Sequence, residues 1–295
     1  MSNRYRKAQI ATMIGIAVNL LLAVLKAVGG ILGNSRALVA DAAHSASDVV
    51  SSIAVLVGIR AAQKPPDSEH PYGHGKSENV ATLIVAILLV VVGFEIIYNA
   101  IVSLMTGTAE NYTTMIALYV IIFSIVVKEV LFQYKYRLGT RIKSPALIAD
   151  AWHHRSDAIS SVVALIGIGL SIIGTAYGIP YLGYLDPIAS AIIALIIMYM
   201  GFQLAKEAVS MTLEVVLNED ETEEMRETVV NIDKVRQIDR LIARSHGSYV
   251  IIDIKISVDA DITVEEGHRV ARVVKQTLLK NHEEVMDVNV HVNPY

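Results

Sequence analysis

Six stretches of the chain, at about 9–32, 37–60, 80–104, 113–134, 145–173 and 185–205, are each long and apolar enough to cross a lipid bilayer, which takes roughly 20 mostly apolar residues per helix. Hydrocarbon offers no water to an open N–H or C=O group, so these stretches are constrained to be helices. Composition agrees, because 53% of the 295 residues are hydrophobic and only 18% are charged, too few charges to cover a soluble surface of that size. Such a chain is not disordered. It has no cysteine, so it is not a disulfide scaffold, and no thiolate serves as ligand, nucleophile or redox centre. A net charge of −4 leaves no electrostatic footprint for nucleic acid.

The charge is unevenly placed. Residues 212–295 carry 17 acids and 10 bases, a net of −7, and the rest of the chain nets +3. A greasy, slightly basic body, 1–208, is therefore expected to precede a water-soluble domain, 209–295. Within that domain, Glu219 to Asn231 reads as a helix and Val235 to Ala243 as a strand. Tyr249 to Val258 alternates as a second strand, Val264 to Asn281 is an amphipathic helix, and Val288 to Val292 closes as a third strand. The fold class expected is an α-helical membrane protein of six transmembrane helices with a C-terminal cytoplasmic ferredoxin-like α/β domain.

Lys and Arg flank the even-numbered connections, at Arg60, Lys64 and Lys76 and again at Lys135, Arg137, Arg141 and Lys143. The third and fifth connections have neither, and the first has only Arg36. The positive-inside bias then puts both termini in the cytoplasm of a multi-pass cell-membrane protein. The start, basic at Arg4, Arg6 and Lys7 before a long apolar run, is expected to persist as a span and not to be cleaved as a leader. Lys26 and Lys128 are expected to snorkel to the interface.

Ionisable side chains inside a bilayer are costly, so each needs an explanation. The second span holds Asp41, His44 and Asp48 at spacings of three and four, on one helix face; Asp150, His153 and Asp157 repeat the pattern in the fifth. At an offset of 109 the two segments agree at 8 of 13 positions through Ser51-Ser52 and Ser160-Ser161. Span two runs inward and span five outward, so the copies are antiparallel and can face each other near the midplane, as inverted repeats do. His44, Asp48, His153 and Asp157 would supply two imidazoles and two carboxylates. Such a set suits tetrahedral zinc and also accepts cobalt, cadmium, ferrous iron or manganese. The plain alternative, two buried ion-pair networks, does not explain a duplicated His-x-x-x-Asp. Asp41 and Asp150, one turn earlier, are expected to support the imidazoles or to line vestibules. After the second span, Asp67, His70 and His74 lie in Asp-Ser-Glu-His-Pro-Tyr-Gly-His-Gly-Lys; by spacing alone they are equally a cation site and a solvated loop.

The paired His-x-x-x-Asp spans, the His-Pro-Tyr-Gly-His-Gly-Lys loop, the six spans and the small α/β tail together resemble the cation diffusion facilitator family, specifically its bacterial zinc/iron-efflux branch. The resemblance covers essentially the whole chain. It implies a homodimer that exports a divalent metal from the cytoplasm in exchange for protons, with no cofactor besides the metal it moves and senses. It places the transport site on His44, Asp48, His153 and Asp157 and a loop site on Asp67, His70 and His74. It also implies a link between Lys76 and Glu214, and a metal site between tails drawn from Asp253, His268 and His291, with His246 as a weaker addition. Lys255 and Asn293 depart from the zinc-binding tail pattern, so a single weaker regulatory site is what carries over. Relatives resembling manganese exporters tend to have Asn or Asp where this chain has His44 and His153, which turns the expected cargo towards zinc.

Imidazole, with an ordinary pKa near ~6.5, exchanges metal for protons close to cytoplasmic pH. No Gly-x-x-x-x-Gly-Lys-Ser/Thr is present, which argues against an ATP-driven pump. Two other classes fit the residues less well. A membrane metalloenzyme needs an open metal position that four protein ligands close. A metal sensor with a membrane anchor leaves the duplicated intramembrane motif unexplained.

Overall fold

The computed structural model describes residues 3–62, 64–106, 113–141, 147–148, 151–152, 155, 157–247 and 249–295. Its long helices are α1 (Asn3–Leu32), α2 (Arg36–Ala62), α3 (Ser77–Thr106), α4 (Met115–Arg141), α5 (Ala158–Tyr177) and α6 (Leu185–Thr212), with a short 3-10 turn at Pro180–Tyr184. The remainder runs α7 (Glu219–Val230), β1 (Gln237–Ser245), β2 (Val250–Val258), α8 (Val264–Asn281) and β3 (Val285–Pro294). The chain divides into two compact units, residues 1–53 with 85–203, and residues 54–84 with 204–295.

In the first unit the usual burial pattern is inverted. Met13, Leu21, Ile31, Phe94 and Tyr119 face outward, whereas Lys26, Asp41, His44, Ser45, Lys128, Ser160 and Ser161 are buried. Apolar side chains outside and polar ones inside is the arrangement that hydrocarbon selects. Five segments are long and apolar enough to cross a membrane, Met13–Leu32, Ser77–Thr106, Met115–Arg141, Ala158–Tyr177 and Pro180–Thr212. Helix α2 has 27 residues, ample for a span at ~1.5 Å per residue, and departs from the five by carrying Asp41, His44 and Asp48.

Close packing draws these helices together through small residues. A Cβ added at Gly33 of the α1 terminus would lie 2.8 Å from Ala117 of α4, so glycine is what lets α1 and α4 touch. Helix α1 then ends because Asn34 takes φ 52, a left-handed conformation that Asn tolerates, and Ser35 N donates to Gly30 O at 2.9 Å. Helix α2 starts at once and is capped from far away in sequence. Buried Asp186, in the first turn of α6, accepts Ser35 Oγ at 2.6 Å, Arg36 N at 2.7 Å and Ala37 N at 3.4 Å. That carboxylate satisfies backbone donors that hydrocarbon would leave open and fixes where α2 begins.

In the second unit the expected helix–strand–strand–helix–strand order is found. β1 pairs antiparallel with β2, and β2 parallel with β3 across the α8 crossover, giving the order β1-β2-β3. Ile252, Ile254 and Ile256 of β2 pack against Val270, Val274 and Leu278 of α8 and Met225 and Val229 of α7. Both helices open with capping boxes, Asn218 with Glu221 and Thr263 with Glu266. β1 begins two residues later than periodicity predicts, and its register shifts between Ile238 and Arg240, an irregularity that alternation alone does not reveal.

Asp186→Ala removes the acceptor for the start of α2, and the full-length protein in detergent is expected to lose about 1–2 kcal/mol. A thermal unfolding midpoint unchanged from the parent would contradict the capping role.

Candidate metal centre

Helix α2 presents His44 and Asp48 one turn apart, and Asp157 lies immediately before α5. One ligand atom from each of His44, Asp48 and Asp157 lies within 4.8 Å of the other two. His44 is 2% exposed and Asp157 7%, so this is an N/O cluster withdrawn from solvent. His44 Nδ1 is buried and has no hydrogen-bond partner among the described residues, so it calls for an explanation. His153 and Asp150, the other sequence candidates here, lie outside the described residues, as does His154.

Asp41 is placed differently from the imidazole-orienting role. Its carboxylate is fully buried and forms an ion pair with Lys26 at 2.7 Å. Oδ1 accepts Ser160 Oγ at 2.7 Å and Oδ2 accepts Ser161 Oγ at 2.8 Å. Lys26 Nζ also donates to Ser45 Oγ at 3.0 Å and Ser161 Oγ at 3.1 Å. The expectation that Lys26 and Lys128 snorkel is therefore corrected. Lys26 is 0% exposed and Lys128 4%, with Lys128 Nζ donating to Asp157 O at 3.3 Å. The Asp41 carboxylate holds the Lys26 ammonium, and the Asp157 carbonyl that of Lys128, where the interface would otherwise draw them. The sequence signal for Lys26 was its depth within a span, which calls for a partner.

The loop residues also converge. Asp67, His70 and His74 bring ligand atoms within 4.8 Å of one another. The loop is organised by Asp67 Oδ1, which accepts His70 N at 2.7 Å and Glu69 N at 3.0 Å, a local turn built by the carboxylate. The His70 and His74 rings lie 4.4 Å apart between centroids, and His74 Nδ1 is buried without a partner among the described residues. The His70 backbone N–H is the main cause holding the Asp67 carboxyl below its ordinary value.

This loop is latched to the soluble tail. Lys76 Nζ meets Glu214 Oε1 at 2.9 Å, and Arg244 Nη1 meets Glu214 Oε2 at 2.9 Å. Tyr249 Oη donates to Tyr72 O and accepts Gly75 N at 3.2 Å. Gly247 takes φ 75, and a Cβ there would lie 2.1 Å from Gly75 O, so only glycine permits that approach. A cavity of about 440 Å³ is lined by His70, His74, Lys76 and His246, among others.

The tail candidates do not gather within one chain. Asp253 is engaged by Arg244 at 3.3 Å and Asn289 at 2.9 Å. Exposed His268 accepts Arg272 Nη2 at 3.3 Å, and His291 sits across from Lys255 in the β2–β3 register. Among the described residues, the groups of metal-ligating side chains that close to within 4.8 Å are the intramembrane and loop ones.

A helical membrane body with a buried N/O cluster and a soluble α/β tail defines a class of metal-handling membrane proteins. Family models narrow it: the cation efflux transmembrane domain matches residues 12–213, and the cation efflux protein cytoplasmic domain matches residues 217–295. The chain belongs to the cation efflux family, a family of metal transporters. It is 39% identical over 295 residues to the manganese efflux system protein MneP of Bacillus subtilis, covering 100% of this chain and 98% of that one. It is 31% identical over 290 residues to the manganese efflux system protein MneS of the same organism, covering 98% and 96%. The solved MamM-CTD is 23% identical and covers 26% of this chain and 98% of its own, with a TM-score of 0.26.

Two groups of the latch define a pH response. Lys76, and after it Arg244, hold the Glu214 carboxyl below its ordinary value through hydrogen bonds, against an opposing effect of burial. Burial pushes the His246 imidazole down. Both groups bind fewer protons folded than unfolded, so their stabilisation is full at neutral pH and falls as pH falls. The protection factor of the Gly75 amide, its exchange rate relative to the intrinsic rate at each pH, is expected to fall first below about pH 6.5 and again below about pH 4. Glu214→Gln removes the lower step, and a latch that tightens on acidification would contradict the assignment.

Proposed function

We propose that this protein exports a divalent transition metal from the cytoplasm across the cell membrane in exchange for protons. The convergence of His44, Asp48 and Asp157 in a solvent-poor interior carries the reading. On the sequence pattern alone, His153, four residues before Asp157, is proposed as the second imidazole beside the two carboxylates. Each ligand must be deprotonated to hold a metal ion, so loading releases protons to the cytoplasm and protons arriving from outside displace the ion. The gradient then supplies the work.

Two cargo readings stand on different observations. Imidazole and carboxylate ligands suit zinc, and they also suit manganese. The surrounding shell decides between ions that share a donor set. The full-length likeness to two manganese efflux proteins samples that shell, so manganese is the first reading and zinc the second. Asp67, His70 and His74 form a second, cytoplasmic metal site. The tail, taken as residues 209–295, joins two protomers of a homodimer and binds a regulatory ion with Asp253, His268 and His291, once Asp253 leaves Arg244. Both termini are cytoplasmic in this arrangement. The chain is taken as a transporter and not as an enzyme.

In sealed vesicles an imposed pH gradient is expected to drive manganese or zinc flux. His44→Ala or Asp157→Ala should lower that flux roughly 100-fold or more, since each removes a ligand. Metal binding with no gradient-dependent flux would overturn the antiport reading. A competition series of manganese, zinc, iron, cobalt and cadmium ranks the cargo, and preference for zinc over manganese would reverse the order given above.

A further inference from the structure

The buried network around Asp41 does more than neutralise a stray charge. Ser160 and Ser161 stand three and four residues after Asp157, and Asp41 stands three before His44. The hydrogen bonds from Ser160 and Ser161 to Asp41, at 2.7 and 2.8 Å, therefore tie α2 to α5 about one turn from the ligand atoms that each helix contributes. Lys26 of α1 closes the tie, touching Asp41, Ser45 and Ser161 at once. Every one of these groups is at most 2% exposed. Both oxygens of Asp41 are occupied, so its carboxylate is committed to the tie.

We propose that Lys26, Asp41, Ser160 and Ser161 form a metal-independent clasp of positioning residues that holds α2 and α5 at the spacing the metal centre needs. The inference rests on His44, Asp48 and Asp157 binding the cargo, and it supplies what that reading lacks. With the ion gone, no shared atom joins the ligands of α2 to those of α5, and metal alone would no longer hold the helices together. The clasp keeps them as one body through the empty half of the cycle, so the next ion meets a formed site and not two separated helices. The pair is well suited to that work, because a buried ion pair with its hydrogen bonds satisfied is costly to open in a low-dielectric interior.

The test is calorimetric binding of manganese(II) and of zinc(II) to full-length protein in detergent. A His70→Ala/His74→Ala background silences the loop, and a further His44→Ala variant identifies the heat that belongs to the intramembrane site. Ser160→Ala/Ser161→Ala leaves the Lys26–Asp41 pair intact, and is expected to weaken binding at that site about tenfold or more. The single variants should fall between. A lowered thermal midpoint with unchanged metal affinity would mean that the network serves the fold only, and would overturn the proposal. Unchanged affinity and unchanged stability would overturn it equally. Because the readout is binding, a wild-type protein that binds at this site but shows no gradient-driven flux would sink the antiport reading while leaving the clasp testable.

Discussion

A charged or hydrogen-bonding side chain placed away from water must find its partner inside the protein, and the first unit is arranged around that requirement. Lys26 and Asp41 answer each other at 2.7 Å with no exposure to solvent, and serine hydroxyls from α2 and α5 take up their remaining hydrogen-bonding capacity. Breaking one member would leave its partner charged and unpaired in a low-dielectric interior, a cost of several kcal/mol. The position of α2 follows from the same rule, since the amides at its start must be satisfied and Asp186 satisfies them. His44 and Asp48 ride on a helix fixed at its start by a carboxylate from α6 and three residues before His44 by hydroxyls from α5.

Against this background the His44 nitrogen differs from the groups around Asp41. The polar groups around Asp41 are closed on one another, whereas His44 Nδ1 has no such closure among the described residues and lies beside two carboxylates. An imidazole nitrogen with no such partner beside two acids is the feature of this interior that a bound cation would complete. The loop of the second unit repeats the logic in water. Asp67 spends Oδ1 on backbone N–H groups to shape the turn, while His70 and His74 are brought side by side. Glu214, at φ 62 two residues after α6, holds Lys76 and Arg244 together and so fastens that loop to the tail.

Much of this was legible in the sequence because it depends on spacing. Asp41, His44 and Asp48 share a helix face by arithmetic alone, and the duplication 109 residues later marks the pair of helices. Helical period places Val270, Val273, Val274, Thr277 and Leu278 on one side of α8; Val270, Val274 and Leu278 are buried there, whereas Val273 is exposed. The sequence could not disclose partners chosen by tertiary packing. Ser160 and Asp41 are 119 residues apart and Asp186 and Arg36 are 150 apart, and no periodicity links them. Lys26 was visible as an anomaly, yet snorkelling and pairing predict the same residue type at that depth. Tyr249 reads as an ordinary strand residue until its hydroxyl is seen against Tyr72 and Gly75.

The claim on which the rest stands is that one ion sits among His44, Asp48 and Asp157. Anomalous diffraction at the manganese absorption edge, from crystals of full-length protein grown with manganese(II), addresses it without reference to transport. The account predicts an anomalous peak within bonding distance of all three side chains, about 2.0–2.3 Å, and the loss of that peak in Asp157→Ala. Peaks confined to the loop and the tail, with the intramembrane cluster dark at saturating metal, would contradict it.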